Sequence, residues 1–157
     1  MMNFIRKRPR RSALGLTSLV VTGVLLSGDN DFRRRVSATY QPLHSIHFNQ
    51  THGQRKKDLF ETMRGDVLEI GAGTGSNFPY LPGFITYSAT DRNPHVLGPL
   101  KQAAADHGFV PSTLTVKQRD LQGYLAELPS DSQNCVLGTL VLGTNDSHEQ
   151  IAKEIHR

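Results

Sequence analysis

The 157-residue chain lacks several features that would indicate other kinds of protein. Its single cysteine, Cys135, excludes an internal disulfide, and the apolar residues that follow predict a place in a buried strand rather than a nucleophile. No paired Cys/His framework and no His-Glu-x-x-His helix occurs, so no metal site is expected. No Gly-Lys-Ser/Thr triplet is present either, which excludes the loop that cradles nucleoside triphosphates.

Positive charge is scarce outside the N-terminus. Residues 1–35 contain eight Lys and Arg against two Asp, a net charge of +6, whereas the whole chain has +4. Residues 36–157 are therefore mildly acidic, with a net charge of −2. Nucleic-acid binding needs cations clustered on the folded surface, so no nucleic-acid partner is expected.

An apolar run, residues 13–28, follows the basic N-terminus. As a helix it would measure about 24 Å at about 1.5 Å per residue, which is shorter than a hydrocarbon core of about 30 Å. We expect residues 1–35 to be a targeting or anchor segment, attached to a membrane through residues 13–28. A mitochondrial presequence also fits the Arg-rich, acid-poor run. A cleaved secretory signal would have a poor cut site at residues 25–28, and a twin-arginine signal at residues 10–11 would have only a loose downstream pattern.

Residues 36–65 are predicted to hold a linker followed by a helix. The linker covers residues 36–48, which are polar and include Pro42, and the amphipathic helix covers residues 49–63. From residue 66 to the end of the chain, strands alternate with helices, which predicts an α/β fold with a Rossmann-like parallel sheet. The predicted strands are 67–70, 84–90, 113–117 and 134–140, and the predicted helices are 96–107, 121–128 and 148–156.

Three glycines, Gly71, Gly73 and Gly75, follow the first predicted strand, and Asp91 ends the second. In a doubly wound sheet a ligand lies beyond the carboxyl ends of the strands, where a Cβ on such a loop would collide with it. A carboxylate at the end of the second strand can accept hydrogen bonds from both hydroxyls of a ribose. The pattern therefore predicts a site for an adenosine-type cofactor.

The spacing of the glycines argues against a dinucleotide. That fingerprint places its third glycine three positions after the second, where this chain has Ser76. Pro79 and Pro82 also interrupt the helix whose N-terminus would bind a pyrophosphate. The sequence thus disfavours a nicotinamide cofactor.

A Gly-x-Gly-x-Gly loop with an acid ending the second strand resembles the class I S-adenosylmethionine-dependent methyltransferases. Within that class the chain is most similar, from about residue 48 to its end, to membrane-anchored methyltransferase-like proteins that methylate alkyl thiols. The matching positions are 73–78, 82, 91–94, 139–142, 149–151 and 154–155.

The resemblance implies S-adenosylmethionine as the cofactor and assigns it a set of binding residues. The glycines, with Ala72 between them, would line the methionine moiety, and Glu69 would support the loop. Asp91 would hold the ribose and Arg92 would flank the adenine. The complete implied set is Glu69, Gly71, Ala72, Gly73, Gly75, Asp91, Arg92, Asp120, Leu121 and Thr139.

Some members of this set have more specific places or alternative roles. Asp120 and Leu121 would meet the adenine, and Thr139 would lie near the methionine end. From the residues alone, Asp120 is equally a helix N-cap, whereas for Arg92 a solvated surface role is favoured over a contact. No catalytic base is assigned, because a thiol with a reference pKa of about 8.5 ionises with little help.

The resemblance further implies a small-molecule acceptor, a thiol ahead of a lipid or a quinone. The expected location is the endoplasmic reticulum membrane, facing the cytosol, with the mitochondrion as the alternative. Family members continue into three more strands, so we expect four strands in the order 3-2-1-4 and a C-terminally truncated domain. A truncated, non-catalytic binding protein tethered to a membrane is the alternative function, and the sequence does not indicate an oligomeric state.

Overall fold

A computed structural model describes residues 28–139 and 148–156. Its strands are β1 (Asp66–Ile70), β2 (Thr86–Asp91), β3 (Leu114–Gln118) and β4 (Cys135–Leu137). Its α-helices are α1 (Asn30–Phe60), α2 (Leu97–Asp106), α3 (Leu121–Glu127) and α4 (His148–Ile155), and 3-10 helices span Phe78–Tyr80 and Pro94–Val96. The alternation of strands and helices predicted from residue 66 onward is confirmed.

All four strands are parallel and lie in the order β3-β2-β1-β4, as predicted. The central strand β1 pairs with both neighbours, Leu68 lying opposite Ser88 on β2 and Val136 on β4. At its carboxyl end Ile70 pairs with Thr90, so β1 and β2 finish at the same level. The segments that follow these two strands therefore lie side by side.

Hydrophobic side chains cover both faces of the sheet. Alternate residues of a strand point to opposite faces, so Val67 packs in one cluster and Leu68 in another. The first cluster includes Tyr87 and the α2 residue Leu100, and the second includes the α4 residue Ile151. Helices therefore pack on both faces, which is the layered α/β arrangement that the sequence predicts.

The predicted linker over residues 36–48 is wrong, because α1 is one continuous helix of 31 residues that runs through Pro42. Proline in a helix interior lacks an N–H donor and normally interrupts the helix. Here tertiary contacts along α1 oppose that tendency. The backbone carbonyl of Arg34 accepts a hydrogen bond from Asn93 Nδ2 at 2.9 Å, and Asn49 Nδ2 donates to the Ser76 carbonyl at 3.1 Å.

The predicted membrane segment, residues 13–28, falls outside the described residues except for Gly28. Within residues 28–139 and 148–156, no helix combines the length and the apolar composition needed to cross a bilayer.

Candidate functional site

The turn after β1 has a backbone that glycine adopts far more readily than other residues. Gly71, Gly73 and Gly75 have φ values of 67°, 57° and 87°, in a region that L-residues with a Cβ rarely occupy. Two backbone hydrogen bonds hold the turn, one from Ala72 N to the Thr90 carbonyl at 3.0 Å and one from Gly75 N to the Ala72 carbonyl at 3.1 Å. The backbone dihedral angles of this turn therefore require glycine at the three positions.

The sequence analysis explains the glycines by a collision between a Cβ and a ligand, and for two of them this reason needs correction. A Cβ on Gly73 would lie 2.9 Å from Oε1 of Gln41 on α1, and a Cβ on Gly75 would lie 2.7 Å from the ring of Phe78. Protein atoms, rather than a ligand, therefore occupy the space beside these two Cα atoms. Gly73 and Gly75 are buried and do not line the neighbouring cavity, whereas Gly71 does.

Asp91, at the end of β2, is bonded to the glycine turn. Its Oδ2 accepts a hydrogen bond from Gly73 N at 2.9 Å, and its Oδ1 accepts one from Asn93 N at 2.8 Å. A carboxylate oxygen can accept more than one hydrogen bond. Asp91 also lines the cavity, so both oxygens retain capacity to accept donors from a ligand.

A cavity of about 860 Å³ lies at the carboxyl edge of the sheet, bounded on one side by α1. Its volume is within the range of about 300–1,000 Å³ that is usual for small-molecule sites. Eight of the ten residues predicted to bind a cofactor line it: Glu69, Gly71, Ala72, Asp91, Arg92, Asp120, Leu121 and Thr139. Asp120 is at the N-cap position of α3, but its side chain makes no capping hydrogen bond.

The sequence prediction missed the wall of the cavity that α1 provides. The lining residues on this helix recur every three or four positions, which places them on one face. They are Asn30, Arg33, Arg34, Ser37, Tyr40, Gln41, His44, Ser45 and Phe48. The spacing is visible in the sequence, but the prediction of a linker over residues 36–48 concealed it.

Glu69 is buried at the floor of the cavity and belongs to a hydrogen-bond network. Asn77 Nδ2 donates to Glu69 Oε1 at 2.6 Å, and the Tyr87 hydroxyl donates to Oε2. Asn77 Nδ2 also donates to Thr139 Oγ1 at 2.9 Å, which connects β1 with the residue that follows β4. Burial raises the pKa of Glu69 to about 8, against the smaller opposing effects of Asn77 and Lys56. The carboxyl group is therefore mostly protonated at neutral pH.

We expect this raised pKa to make stability depend on pH. The pKa of Glu69 is about 8 in the folded chain against a reference of 4.5, so the folded state binds the proton more tightly. The free energy of unfolding then falls as pH rises between these values, by at most about 1.4 kcal/mol per pH unit. Urea unfolding at about pH 5.5 and pH 7.5 should show a smaller loss in Glu69→Gln than in the unchanged chain, by about 2 kcal/mol.

Glu61→Gln is the matched control for this measurement, because Glu61 is exposed at the end of α1. It should lose stability with pH as the unchanged chain does. Parallel pH profiles for Glu69→Gln and the unchanged chain would contradict the assignment of a protonated Glu69.

Among the residues that the structure describes, no three His, Cys, Asp or Glu side chains are grouped so that they could hold a metal ion. The polar side chains that line the cavity carry carboxylates, guanidinium groups, amides, hydroxyls and one imidazole, that of His44. This set is suited to an organic ligand with hydroxyl and charged groups.

A parallel sheet, a left-handed glycine turn after its central strand and a carboxylate ending the next strand define a nucleotide-type binding domain. No protein-family model matches the chain. Over 119 residues it is 27% identical to human thiol S-methyltransferase TMT1B, and the match covers 69% of this chain and 47% of that protein. The resemblance to S-adenosylmethionine-dependent methyltransferases is thereby confirmed, and it supports S-adenosylmethionine as the cofactor.

A solved structure shares the fold. Precorrin 8W decarboxylase from Methanobacterium thermoautotrophicum aligns with a TM-score of 0.50 and 24% identity, covering 62% of this chain and 50% of that one. Magnesium protoporphyrin IX methyltransferase from Synechocystis, with bound S-adenosylmethionine, aligns with a TM-score of 0.47 and 16% identity over 96% and 73% of the two chains. The chain thus spans about half the length of both the human relative and the decarboxylase.

Proposed function

We propose that the chain binds S-adenosylmethionine in the cavity beside the glycine turn and transfers its methyl group to a small thiol. The observation that carries the proposal is the placement of Asp91. Its carboxylate ends β2, is fixed by Gly73 N and Asn93 N, and lines the cavity. A carboxylate at this place in the fold accepts hydrogen bonds from ribose hydroxyls.

Other lining residues fit the remaining parts of the cofactor. Leu121 and Arg92 offer an apolar surface and a cation on the side where the adenine would lie, with Asp120 beside them. At the methionine end, Gln41 Oε1 is buried and has no hydrogen-bond partner among the described residues. A buried carbonyl oxygen is stabilised by a donor, and the ammonium group of the cofactor would supply one.

The cofactor supplies an electrophilic methyl group on a positively charged sulfur. The acceptor thiolate attacks the methyl carbon, the new carbon–sulfur bond forms as the old one breaks, and the electron pair of the old bond stays on the departing sulfur. The thiol releases its proton to solvent before the attack, since its reference pKa is about 8.5. The chain itself contributes by aligning the two partners and by covering them with α1.

The choice of a thiol rests on the relative named thiol S-methyltransferase, to which this chain is 27% identical. We also propose membrane attachment through residues 13–28 and residence on the cytosolic face of the endoplasmic reticulum. The first of these proposals rests on the basic and apolar N-terminal sequence, and the second on the resemblance to membrane-anchored methyltransferase-like proteins.

Calorimetry followed by a transfer assay tests the proposed function. The chain should bind S-adenosylhomocysteine but not NADH, and it should pass an isotopically labelled methyl group to 2-mercaptoethanol. Binding of NADH alone would reject the cofactor. Transfer to a quinol or a phospholipid but not to the thiol would reject the acceptor. Cofactor binding without transfer to any of them would indicate a binding protein instead of an enzyme.

A further inference from the structure

Arginine side chains outnumber carboxylates around the cavity. Arg33 and Arg34 on α1, Arg92 after β2 and Arg119 after β3 all line it. The carboxyl groups in the lining belong to Glu69, Asp91 and Asp120.

The floor of the cavity and the wall formed by α1 differ in charge. Glu69 and Asp91 are on β1 and β2 at the floor. Burial raises the pKa of Glu69 to about 8, so this group contributes little negative charge at neutral pH. Asp91 already accepts hydrogen bonds from two backbone N–H groups. The wall formed by α1 carries cations and no carboxylate among its lining residues.

Arg34 is the cation best placed to act on a ligand at this wall. Its backbone carbonyl accepts a hydrogen bond from Asn93 Nδ2 at 2.9 Å, which fixes this turn of α1 against the segment that follows β2. Arg119, by contrast, lies 3.7 Å from the carboxylate of Glu127. Among the described residues the guanidinium of Arg34 has no ion-pair partner, and the residue is exposed.

We propose that the methyl acceptor is an anionic thiol, whose negatively charged group is bound by Arg34 at the α1 wall of the cavity. The inference rests on the proposed function and names its substrate class. A guanidinium binds a carboxylate through two parallel hydrogen bonds, which fixes orientation as well as charge. The same cationic surroundings favour the thiolate form of a thiol, which is the nucleophile.

Three small thiols that differ in charge test the proposal: 3-mercaptopropionate, 2-mercaptoethanol and cysteamine, each assayed for methyl transfer with the whole chain. We expect KM to be lowest for the anionic thiol and highest for the cationic one, by about tenfold at each step. The preference should shrink as salt is added, because exposed charges are screened.

Two substitutions at Arg34 and one matched control separate the effect of charge from that of structure. Arg34→Gln should raise the KM for 3-mercaptopropionate about tenfold relative to that for 2-mercaptoethanol, and Arg34→Glu should reverse the preference toward cysteamine. Arg55→Gln changes an exposed arginine of α1 that does not line the cavity, so the order of the three thiols should persist.

Equal KM values for the three thiols in the unchanged chain would overturn the inference while leaving the proposed function intact. A second contrary result is a fall in S-adenosylhomocysteine affinity in Arg34→Gln with the order of the thiols unchanged, because Arg34 would then bind the carboxylate of the cofactor. Failure to methylate any of the three thiols would reject the proposed function, and this inference with it.

Discussion

Asp91→Asn is expected to weaken S-adenosylhomocysteine binding by about tenfold to a hundredfold. Hydrogen bonds to a charged group contribute about 1.5–3 kcal/mol, and a factor of ten in affinity corresponds to about 1.4 kcal/mol. The asparagine side chain also has an NH2 group in place of one carboxylate oxygen. This group would face the backbone N–H of Gly73 or of Asn93, so that a donor would lie against a donor. Titration calorimetry of both chains under the same conditions measures the change.

Asp106→Asn is the matched control for Asp91. Asp106 ends α2, is exposed, and accepts a hydrogen bond from Gln102. Its replacement should leave the affinity within about twofold, since surface changes away from special features have small effects. Equal affinities for Asp91→Asn and the unchanged chain, with both chains folded by circular dichroism, would reject the ribose assignment.

Gly75→Ala should destabilise the domain by about 2–5 kcal/mol. A left-handed conformation costs an L-residue about 1–2 kcal/mol, and Gly75 has a φ of 87°. The new Cβ would also lie 2.7 Å from the ring of Phe78, which is only 2% exposed, and 3.1 Å from Cβ of Ala103. Overpacking of this kind costs about 1–3 kcal/mol more. Urea unfolding followed by circular dichroism gives the difference.

The same substitution at Gly123 should act in the opposite direction. Gly123 lies within α3, and a Cβ there would have no heavy atom within 4 Å. Alanine is the better helix former by about 0.5–1 kcal/mol, so Gly123→Ala should stabilise the chain. Similar losses at both positions would show that the turn after β1 is less constrained than its dihedral angles indicate.

Residues with strong local preferences made much of the fold predictable. The apolar run before Gly71 and the acid at position 91 marked the ends of β1 and β2, and the order of the four strands agrees with the prediction. Pro79 was expected to prevent a long helix after the turn, and the structure has a 3-10 helix of three residues there.

The parts that could not be predicted depend on contacts between distant segments. Pro42 predicted a break, yet α1 continues, with hydrogen bonds from Asn49 to Ser76 and from Asn93 to the Arg34 carbonyl on either side of it. Nothing local to Glu69 indicates its raised pKa, which depends on burial by residues far along the chain. The contact of Gly73 could not be predicted from its local sequence either, because its neighbour is Gln41, 32 positions earlier in the sequence.

The side chain of Lys56 gives α1 a fixed point near its C-terminal end. It is 6% exposed, donates to Asn49 Oδ1 at 2.7 Å, and lies over the rings of Phe48 and Tyr80 at 5.1 and 5.5 Å. Asn30 is about 39 Å away along the helix at about 1.5 Å per residue, so a tilt of about 5° about Lys56 would move it by about 3 Å.

At the far end of α1 the contact between Asp31 and His95 is exposed, so solvent and salt screen it. A rotation of α1 about its buried lysine would break this pair and the hydrogen bond from Asn93 Nδ2 to the Arg34 carbonyl. Small rotations would widen the entrance for a departing product without unwinding the helix.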